Sequence, residues 1–347
     1  METAVHVSPT GDDGSSGSPE APLRSVAKAL ASARPGAVVH LAAGEYEPFG
    51  VTGLAGTPRD PIVIRGQCPP PVDFTPLEAL DHDVLVLPLR QALEDGRLAL
   101  ATAAGLTAVN GRGHETGLTV TDCRHVRIEN LVLRDARMNL AVSRSRDVTL
   151  SNCVAFGDPA VSVHGFCLRI QHWSDRPSGA VRFHRCLAYG LKECGFSVQA
   201  GAAFDVQWDC CIAHGMDSGG GDGFSFGHVI RDDNPLYHNG VDYRMKLTRC
   251  AALRNRLDGF DLGNGVGGLT LEYCLGDRNG WGAYYAKDLK VWTGGNTFRH
   301  CRMTGRVLFV RGTAALEDFK TGVKEDGPND ERKYPTRPAG RPEGSRP

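Results

Sequence analysis

One six-residue phrase recurs from the middle of the chain to near its C-terminus. Positions one, three and six are mostly apolar and positions two and four mostly polar, an alternation typical of a strand with one buried face. The last residues of successive copies lie 22, 33, 25, 39, 24 and 27 apart. This interval predicts a solenoid with one such strand per coil, and the longer gaps predict loops inserted into single coils. The copies occupy residues 126–131, 148–153, 181–186, 206–211, 245–250, 269–274 and 296–301.

Cysteine ends six of the seven copies. In stacked parallel coils, each of these cysteines would lie about 4.8 Å from the equivalent position in the next coil. Cysteine packs as a small hydrophobe, so we expect an internal ladder of free thiols. The 11 cysteines form no C-x-x-C pair, so a zinc site is not expected. The six are Cys153, Cys186, Cys211, Cys250, Cys274 and Cys301.

The amino-acid composition limits the kinds of partner that the protein is expected to bind. A chain of 347 residues with 41% hydrophobic residues can bury a sizeable core, and a net charge of −1 gives no electrostatic case for nucleic acid or an anionic membrane. No stretch approaches the roughly 18 apolar residues of a membrane span. We expect a monomer without a nucleic-acid or membrane partner. The N-terminus shows no signal-peptide pattern, which leaves secretion and a cytoplasmic location both open.

Four segments are predicted. Residues 1–66 form a cap and first coil, with a short helix indicated by the helical spacing of Leu23, Val26 and Leu30. Residues 67–117 are an irregular insertion in the early coils. Residues 118–313 form the repeated coils. Residues 314–347 form an extension and a disordered tail, since the end is rich in Pro, Gly and charge.

A second phrase, x-Gly-Phe-x, occupies residues 194–197, 222–225 and 258–261. Its Phe is expected to face the core and its flanking residues to face outwards. Asp222, Asp258 and Asp261 would then converge on one exterior patch. Carboxylates at such short distances repel one another, so they require a cation or a shared proton. Among cations, Ca²⁺ suits carboxylate ligands best. The alternative is that Asp-Gly serves only as a common turn pair.

The N-terminal segments resemble the start of right-handed parallel β-helix proteins of the pectate-lyase type. The resemblance implies an all-β fold, a single-stranded right-handed parallel β-helix (solenoid) with a short N-terminal capping helix. Because this cap is shared by many activities, it implies no particular chemistry. The matching segments are residues 7–12, 21–23, 25–29, 33–36, 43–46 and 60–64.

Residues 255–261 resemble the calcium region of family 9 polysaccharide lyases. The resemblance implies that Asp222, Asp258 and Asp261 bind Ca²⁺. Leu257 stands where that family has the first of two adjacent Asp residues. The family's proton-abstracting Lys lies in a segment resembling residues 289–295, which nominates Lys290.

The chemistry so implied is β-elimination on a polysaccharide or oligosaccharide substrate. A neutral Lys removes the C5 proton of a uronate and the C4 oxygen leaves. Lys287 is the alternative base. The substrate-binding candidates are Arg254, Arg256 and Arg278, since a guanidinium forks onto a carboxylate, together with Trp292, which would stack on a sugar ring. Each of these four is also compatible with an ordinary surface or core position.

Other activities fit the same fold. A glycoside hydrolase would use two carboxylates, and Asp258 with Asp261, or Asp222 with Asp258, are available. The polygalacturonase pattern is incomplete, because Gln171 stands where Lys would follow Arg169-Ile. A uronate epimerase would begin with the same proton abstraction, and a non-catalytic carbohydrate- or partner-binding β-helix would need none. We expect a calcium-dependent lyase of a pectate-like glycan.

Overall fold

The chain winds into a stack of parallel β-coils. The computed structural model describes residues 3–78, 82–100, 104–169, 176–199, 201–217, 220–228, 242–262, 267–280, 289–291, 295–309 and 315–326. Three helices are present in this part: α1 (Val26–Ser32), α2 (Thr75–Glu78) and α3 (His82–Glu94). Among the helices found there, none combines the length and the apolar character that a membrane crossing requires.

The strands are short and follow one another at intervals of a few residues. The first half of the chain contains β1 (Thr3–Val7), β2 (Ala37–Leu41), β3 (Gly44–Tyr46), β4 (Phe49–Thr52), β5 (Ile62–Gly66), β6 (Thr107–Asn110), β7 (Thr116–Thr121), β8 (Arg124–Glu129), β9 (Val132–Arg134), β10 (Met138–Ser143), β11 (Arg146–Ser151), β12 (Val154–Phe156), β13 (His164–Leu168), β14 (Ser178–Gly179), β15 (Arg182–His184) and β16 (Leu187–Tyr189). The second half contains β17 (Cys194–Gln199), β18 (Ala203–Phe204), β19 (Gln207–Asp209), β20 (Ile212–His214), β21 (Asp222–His228), β22 (Asp242–Thr248), β23 (Ala251–Leu253), β24 (Phe260–Leu262), β25 (Gly267–Glu272), β26 (Leu275–Asp277), β27 (Leu289–Val291), β28 (Thr297–Arg299), β29 (Arg302–Phe309), β30 (Ala315–Glu317) and β31 (Lys320–Asp326).

Each complete coil contributes one strand to each of three faces. The first face runs β1-β2-β5-β8-β11-β15-β19-β22-β25-β28-β30. The second runs from β3 through β6, β9, β12, β16, β20, β23 and β26 to β29. The third runs from β4 through β7, β10, β13, β17, β21, β24 and β27 to β29. All of these pairings are parallel, so the predicted single-stranded β-helix is the observed fold.

The repeated phrase covers the end of each first-face strand and the turn that follows it. Its fifth residue has a positive φ in every copy, between 48° and 61°, which bends the chain onto the second face. Its sixth residue then points into the core. Seven such turns stack on one another, at Asn130, Asn152, Arg185, Cys210, Arg249, Tyr273 and His300.

The predicted thiol ladder is confirmed. All six of its cysteines are free and fully buried. Each thiol lies against a carbonyl oxygen of the preceding coil, as in the contacts of Cys274 with Leu247 O at 3.5 Å and Cys301 with Leu271 O at 3.4 Å. Burial raises the pKa of the Cys250 and Cys301 thiols well above the usual value. Because all six thiols are shielded from solvent, the ladder packs the core and is not a reactive centre.

Helix α1 covers the N-terminal end of the stack, as predicted. Its N-cap residue Ser25 accepts a hydrogen bond from the Lys28 N–H. The buried face of Val26, Ala29 and Leu30 joins the main core. The helix thereby shields the open end of a solenoid, where unpaired core would otherwise meet water.

The segment predicted as an irregular insertion has regular structure. Helices α2 and α3 lie within it, and β6 and the start of β7 already belong to the coils. Its apolar side chains pack on the outside of the second face and form a second core. The Arg90 guanidinium of α3 binds the buried carboxylate of Asp277 at 2.6 and 2.8 Å. The second core comprises Phe74, Leu77, Leu89, Ala92 and Leu98 against Val154, Leu187, Cys210, Ile212, Ala251, Leu253 and Leu275.

The predicted boundary at residue 314 lies too early. Strands β30 and β31 continue the first and third faces, with Phe298 paired to Leu316 and Val307 paired to Lys324. The parallel coils therefore extend to Asp326. The tail predicted to be disordered lies, beyond that residue, outside the described part of the chain.

Candidate functional site

The x-Gly-Phe-x phrase forms the beginning of the third-face strands. Phe196, Phe224 and Phe260 pair in register and stack in the core, with ring centroids 4.8 and 5.0 Å apart. Because strand residues alternate between faces, the residue after each Phe faces away from the core. Ser225 and Asp261 therefore stand side by side on the outer surface of adjacent coils.

The glycine of the phrase is required by a close approach. A Cβ atom on Gly223 would lie 2.7 Å from both Asn255 Nδ2 and the Gly259 carbonyl oxygen. Asn255 is fully buried, and its amide donates to Asn279 Oδ1 at 2.9 Å and to the Ala213 carbonyl at 3.2 Å. This asparagine pair fixes the turn that leads into Asp258. Sequence reasoning did not single it out, although both residues follow a second-face strand at the same offset.

The three aspartates belong to two adjacent coils and are not exposed. Asp222, Asp258 and Asp261 expose 3%, 5% and 8% of their surface, whereas an exterior patch was expected. Asp222 and Asp258 occupy equivalent positions two residues before a stacked Phe, and the Asp258 N–H donates to Asp222 Oδ1 at 3.0 Å. Burial, followed by the Asp222 carboxylate, raises the pKa of the nearby Cys194 thiol well above its usual value.

Lys290 lies in β27, one coil beyond Asp261, and the two residues are paired in register. Parallel neighbours are about 4.8 Å apart, so the backbone of Lys290 is adjacent to that of Asp261. The other predicted base, Lys287, and the predicted sugar-stacking residue Trp292 lie outside the described residues.

The predicted substrate-binding arginines face other groups. Arg254 Nη2 lies 2.9 Å and Arg278 Nη1 3.6 Å from the Glu94 carboxylate at the end of α3. Arg256 Nη1 donates to the Asp217 carbonyl at 2.8 Å. Two of the three arginines therefore hold the insertion against the coils. The structure places these two at the junction of α3 with the coils.

The three aspartates do not form a metal site by themselves. Among the described residues, no group of three or more His, Cys, Asp or Glu side chains is arranged to hold one. Asp222 already accepts a backbone hydrogen bond, and Leu257 supplies no carboxylate between Asn255 and Asp258. The three aspartates alone do not fit a complete calcium site.

Comparisons with known proteins agree on the architecture. A family model described as Pel9A-like, right handed beta helix region, matches residues 5–303. A crystal structure of pectate lyase Pel9A is 15% identical at a TM-score of 0.54, covering 94% of this chain and 79% of that chain. A PL6 family alginate lyase, AlyGC, is 15% identical at a TM-score of 0.50, covering 92% of this chain and 39% of that chain.

An alginate lyase from Paenibacillus sp. str. FPU-7 is 15% identical at a TM-score of 0.49, covering 86% of this chain and 94% of that chain. No curated protein matches the sequence. At these identities the solved structures bear on the fold.

Proposed function

The chain belongs to the Pel9A-like right-handed β-helix family, and from this premise we propose that it is a polysaccharide lyase. Its substrate is a uronate-containing, pectate-like glycan, cleaved by β-elimination. The observation that carries the proposal is the alignment of three buried carboxylates in two adjacent coils with Lys290 paired in register to Asp261. Structures of pectate and alginate lyases share the fold.

Elimination needs a base and a way to stabilise negative charge on the uronate. In the proposed reaction the neutral Lys290 amine takes the proton from C5. The electron pair of the broken C–H bond forms the C4–C5 double bond. The C4–O bond breaks, and the leaving oxygen takes a proton from water. Lys290 holds the abstracted proton as an ammonium until it returns to solvent.

We propose Ca²⁺ as the cofactor at Asp222, Asp258 and Asp261. Three carboxylates repel each other and an incoming uronate unless a cation neutralises them. When bound, Ca²⁺ would draw charge from the uronate carboxylate. Since Ca²⁺ takes 6–8 oxygen ligands, an ion there requires ligands besides these three side chains.

The test mixes the protein with polygalacturonate, and separately with alginate, while ultraviolet absorbance and reducing ends are recorded. A lyase produces both an absorbance rise and new ends. New ends without absorbance would identify a hydrolase and overturn the proposal. Binding without either product would identify a non-catalytic module. A rate that rises with added Ca²⁺ and vanishes with chelator supports the cofactor, and an unchanged rate contradicts it.

A further inference from the structure

The outer surface of the third face continues upstream of the aspartates. In register with Asp261 lie Ser225 on β21, Ser197 on β17 and Cys167 on β13. All three upstream side chains are small, in contrast to the aromatic residues stacked on the inner surface. All three are also buried, with Cys167 only 2% exposed.

The two serine hydroxyls are buried without a nitrogen or oxygen partner. Ser197 is 5% exposed and Ser225 is fully buried. Neither Oγ atom makes a hydrogen bond to N or O within the described part of the chain. A thiol adjoins each hydroxyl, Cys167 at Ser197 and Cys194 at Ser225. Buried polar groups are normally hydrogen-bonded, and here a thiol takes the place of the usual nitrogen or oxygen partner.

Arg169 follows Cys167 by two residues and so lies beside the upstream end of this column. It directly follows Leu168, whose side chain is in the core, so strand alternation directs Arg169 outwards. Its Nη1 lies 3.2 Å from the Met138 sulfur, and its buried Nε has no hydrogen-bond partner within the described residues.

Two other half-buried arginines, on the insertion and on the first face, are neutralised by carboxylates. Arg90 binds Asp277 at 2.6 Å, and Arg249 binds Asp209 at 2.7 Å. Arg169 has no carboxylate partner among the described residues, and its closest polar contact there is a thioether. A guanidinium presents a planar fork that matches a carboxylate and is poorly satisfied by sulfur.

We infer that Arg169 forms a subsite for a carboxylate of the same glycan, three coils upstream of Asp261. At the spacing of parallel strands this is about 14 Å from the aspartates. The glycan would cross these coils on the outer side of the third face, with a second uronate anchored at Arg169. The inference rests on the proposed function for the identity of the ligand as a uronate.

The test is calorimetric titration of a galacturonate hexamer into Lys290→Ala protein, with and without Arg169→Gln. Loss of one charge-assisted contact should weaken Kd by roughly 10- to 100-fold. Arg169→Lys, which keeps the charge but not the fork, should fall between. The matched control is Arg127→Gln, the same change at an exposed position of the first face, which should leave Kd unchanged. Unfolding midpoints verify that each variant is folded.

The outcomes separate this inference from the proposed function. Equal Kd values for the Arg169→Gln and Arg127→Gln proteins, with unsaturated product from the wild type, would overturn the subsite alone. A selective loss of binding in Arg169→Gln, with no unsaturated product from the wild type, would keep the subsite and overturn the lyase. If the hexamer neither binds nor is cleaved, both fall.

Discussion

At the scale of single residues, Asp222 combines two roles that one substitution can separate. Its Oδ1 accepts the Asp258 N–H at 3.0 Å, and its charge forms part of the proposed cation site. Asp222→Asn keeps an oxygen acceptor and removes the charge. We expect kcat/KM for elimination to fall by roughly 100-fold or more, by analogy with loss of one electrostatic group in other active sites, while the unfolding midpoint stays close to wild type.

Asp222→Ala is the comparison, since it removes both the charge and the acceptor and should lower activity and midpoint together. Elimination rates and thermal unfolding measured on the two variants decide the matter. Wild-type activity in Asp222→Asn would mean that the carboxylate is structural only.

The turn residue of the repeated phrase could not be predicted from the sequence. The fifth position of the repeated phrase adopts a positive φ, which suits Asn130 and Asn152. The same conformation is found at Arg185 and Tyr273, which carry no such preference. The alternating pattern identified the strand but not the turn that follows it. Stacking of neighbouring coils imposes the positive φ there, even on residues with no preference for it.

At the scale of elements, the insertion is docked by polar contacts around its apolar core. His214 Nε2 lies 2.5 Å from the Leu98 carbonyl, and the Leu100 N–H donates to the Tyr189 hydroxyl at 3.0 Å. Burial lowers the pKa of His214 to about 4. Between about pH 4 and pH 6.5 the imidazole is therefore neutral in the folded protein, whereas an unfolded chain would protonate it.

This predicts an acid-sensitive insertion. Below pH ~6.5 the unfolded chain binds a proton that folded His214 excludes, so the free energy of unfolding falls as pH decreases towards 4. The contribution of His214 to this decrease in the free energy of unfolding approaches about 1.4 kcal/mol per pH unit. Denaturant unfolding at several pH values measures it. His214→Gln keeps a donor for Leu98 without titrating, and its curve should be flatter than that of wild type.

Equal slopes for the wild-type protein and the His214→Gln variant would show that His214 protonates without opening the contact. Carboxylates elsewhere titrate in both proteins, so the difference between the two curves isolates the histidine.

The sequence indicated an insertion but not where it packs. Strands such as β12, β16, β20 and β23 are buried on both sides, since alanines face the main core and larger residues face the insertion. The continuous apolar character of these strands was the sequence feature that indicated burial on both sides. The partners lie many residues apart in the chain, as Arg90 and Asp277 do, and periodicity within a segment carries no information about such pairs.

At the scale of the whole molecule, the buried column of sulfur predicts how the protein reacts with thiol reagents. Of the 11 free cysteines, Cys68 is exposed and the others are buried. The native protein should therefore show one rapidly reacting thiol and the denatured protein eleven. Cys68→Ser should remove the rapid phase. Several fast thiols in the native state would contradict a closed stack, and fewer than eleven after denaturation would indicate a disulfide.

The whole-molecule view also shows how far the site was predictable. The ten-residue offset from Cys186 to Phe196 and from Cys250 to Phe260 gave the register of the third face, and with it the placement of Asp222 one coil from Asp258 and Asp261. Their burial was missed, because the alternating pattern does not reveal what covers an outward-facing residue. The pairing of Arg254 with Glu94 was missed for the same reason as the insertion.

The most direct test of the central claim is the ultraviolet absorbance of polygalacturonate mixed with wild-type, Lys290→Ala and Lys287→Ala proteins at alkaline pH, where a free lysine, with its pKa of about 10.4, gains neutral amine. The account predicts a rise with wild type and Lys287→Ala, and a loss of roughly 100-fold or more in the rate with Lys290→Ala. A rise that survives Lys290→Ala and disappears in Lys287→Ala would contradict the assignment of the base. No rise with any uronate polymer would contradict the lyase itself.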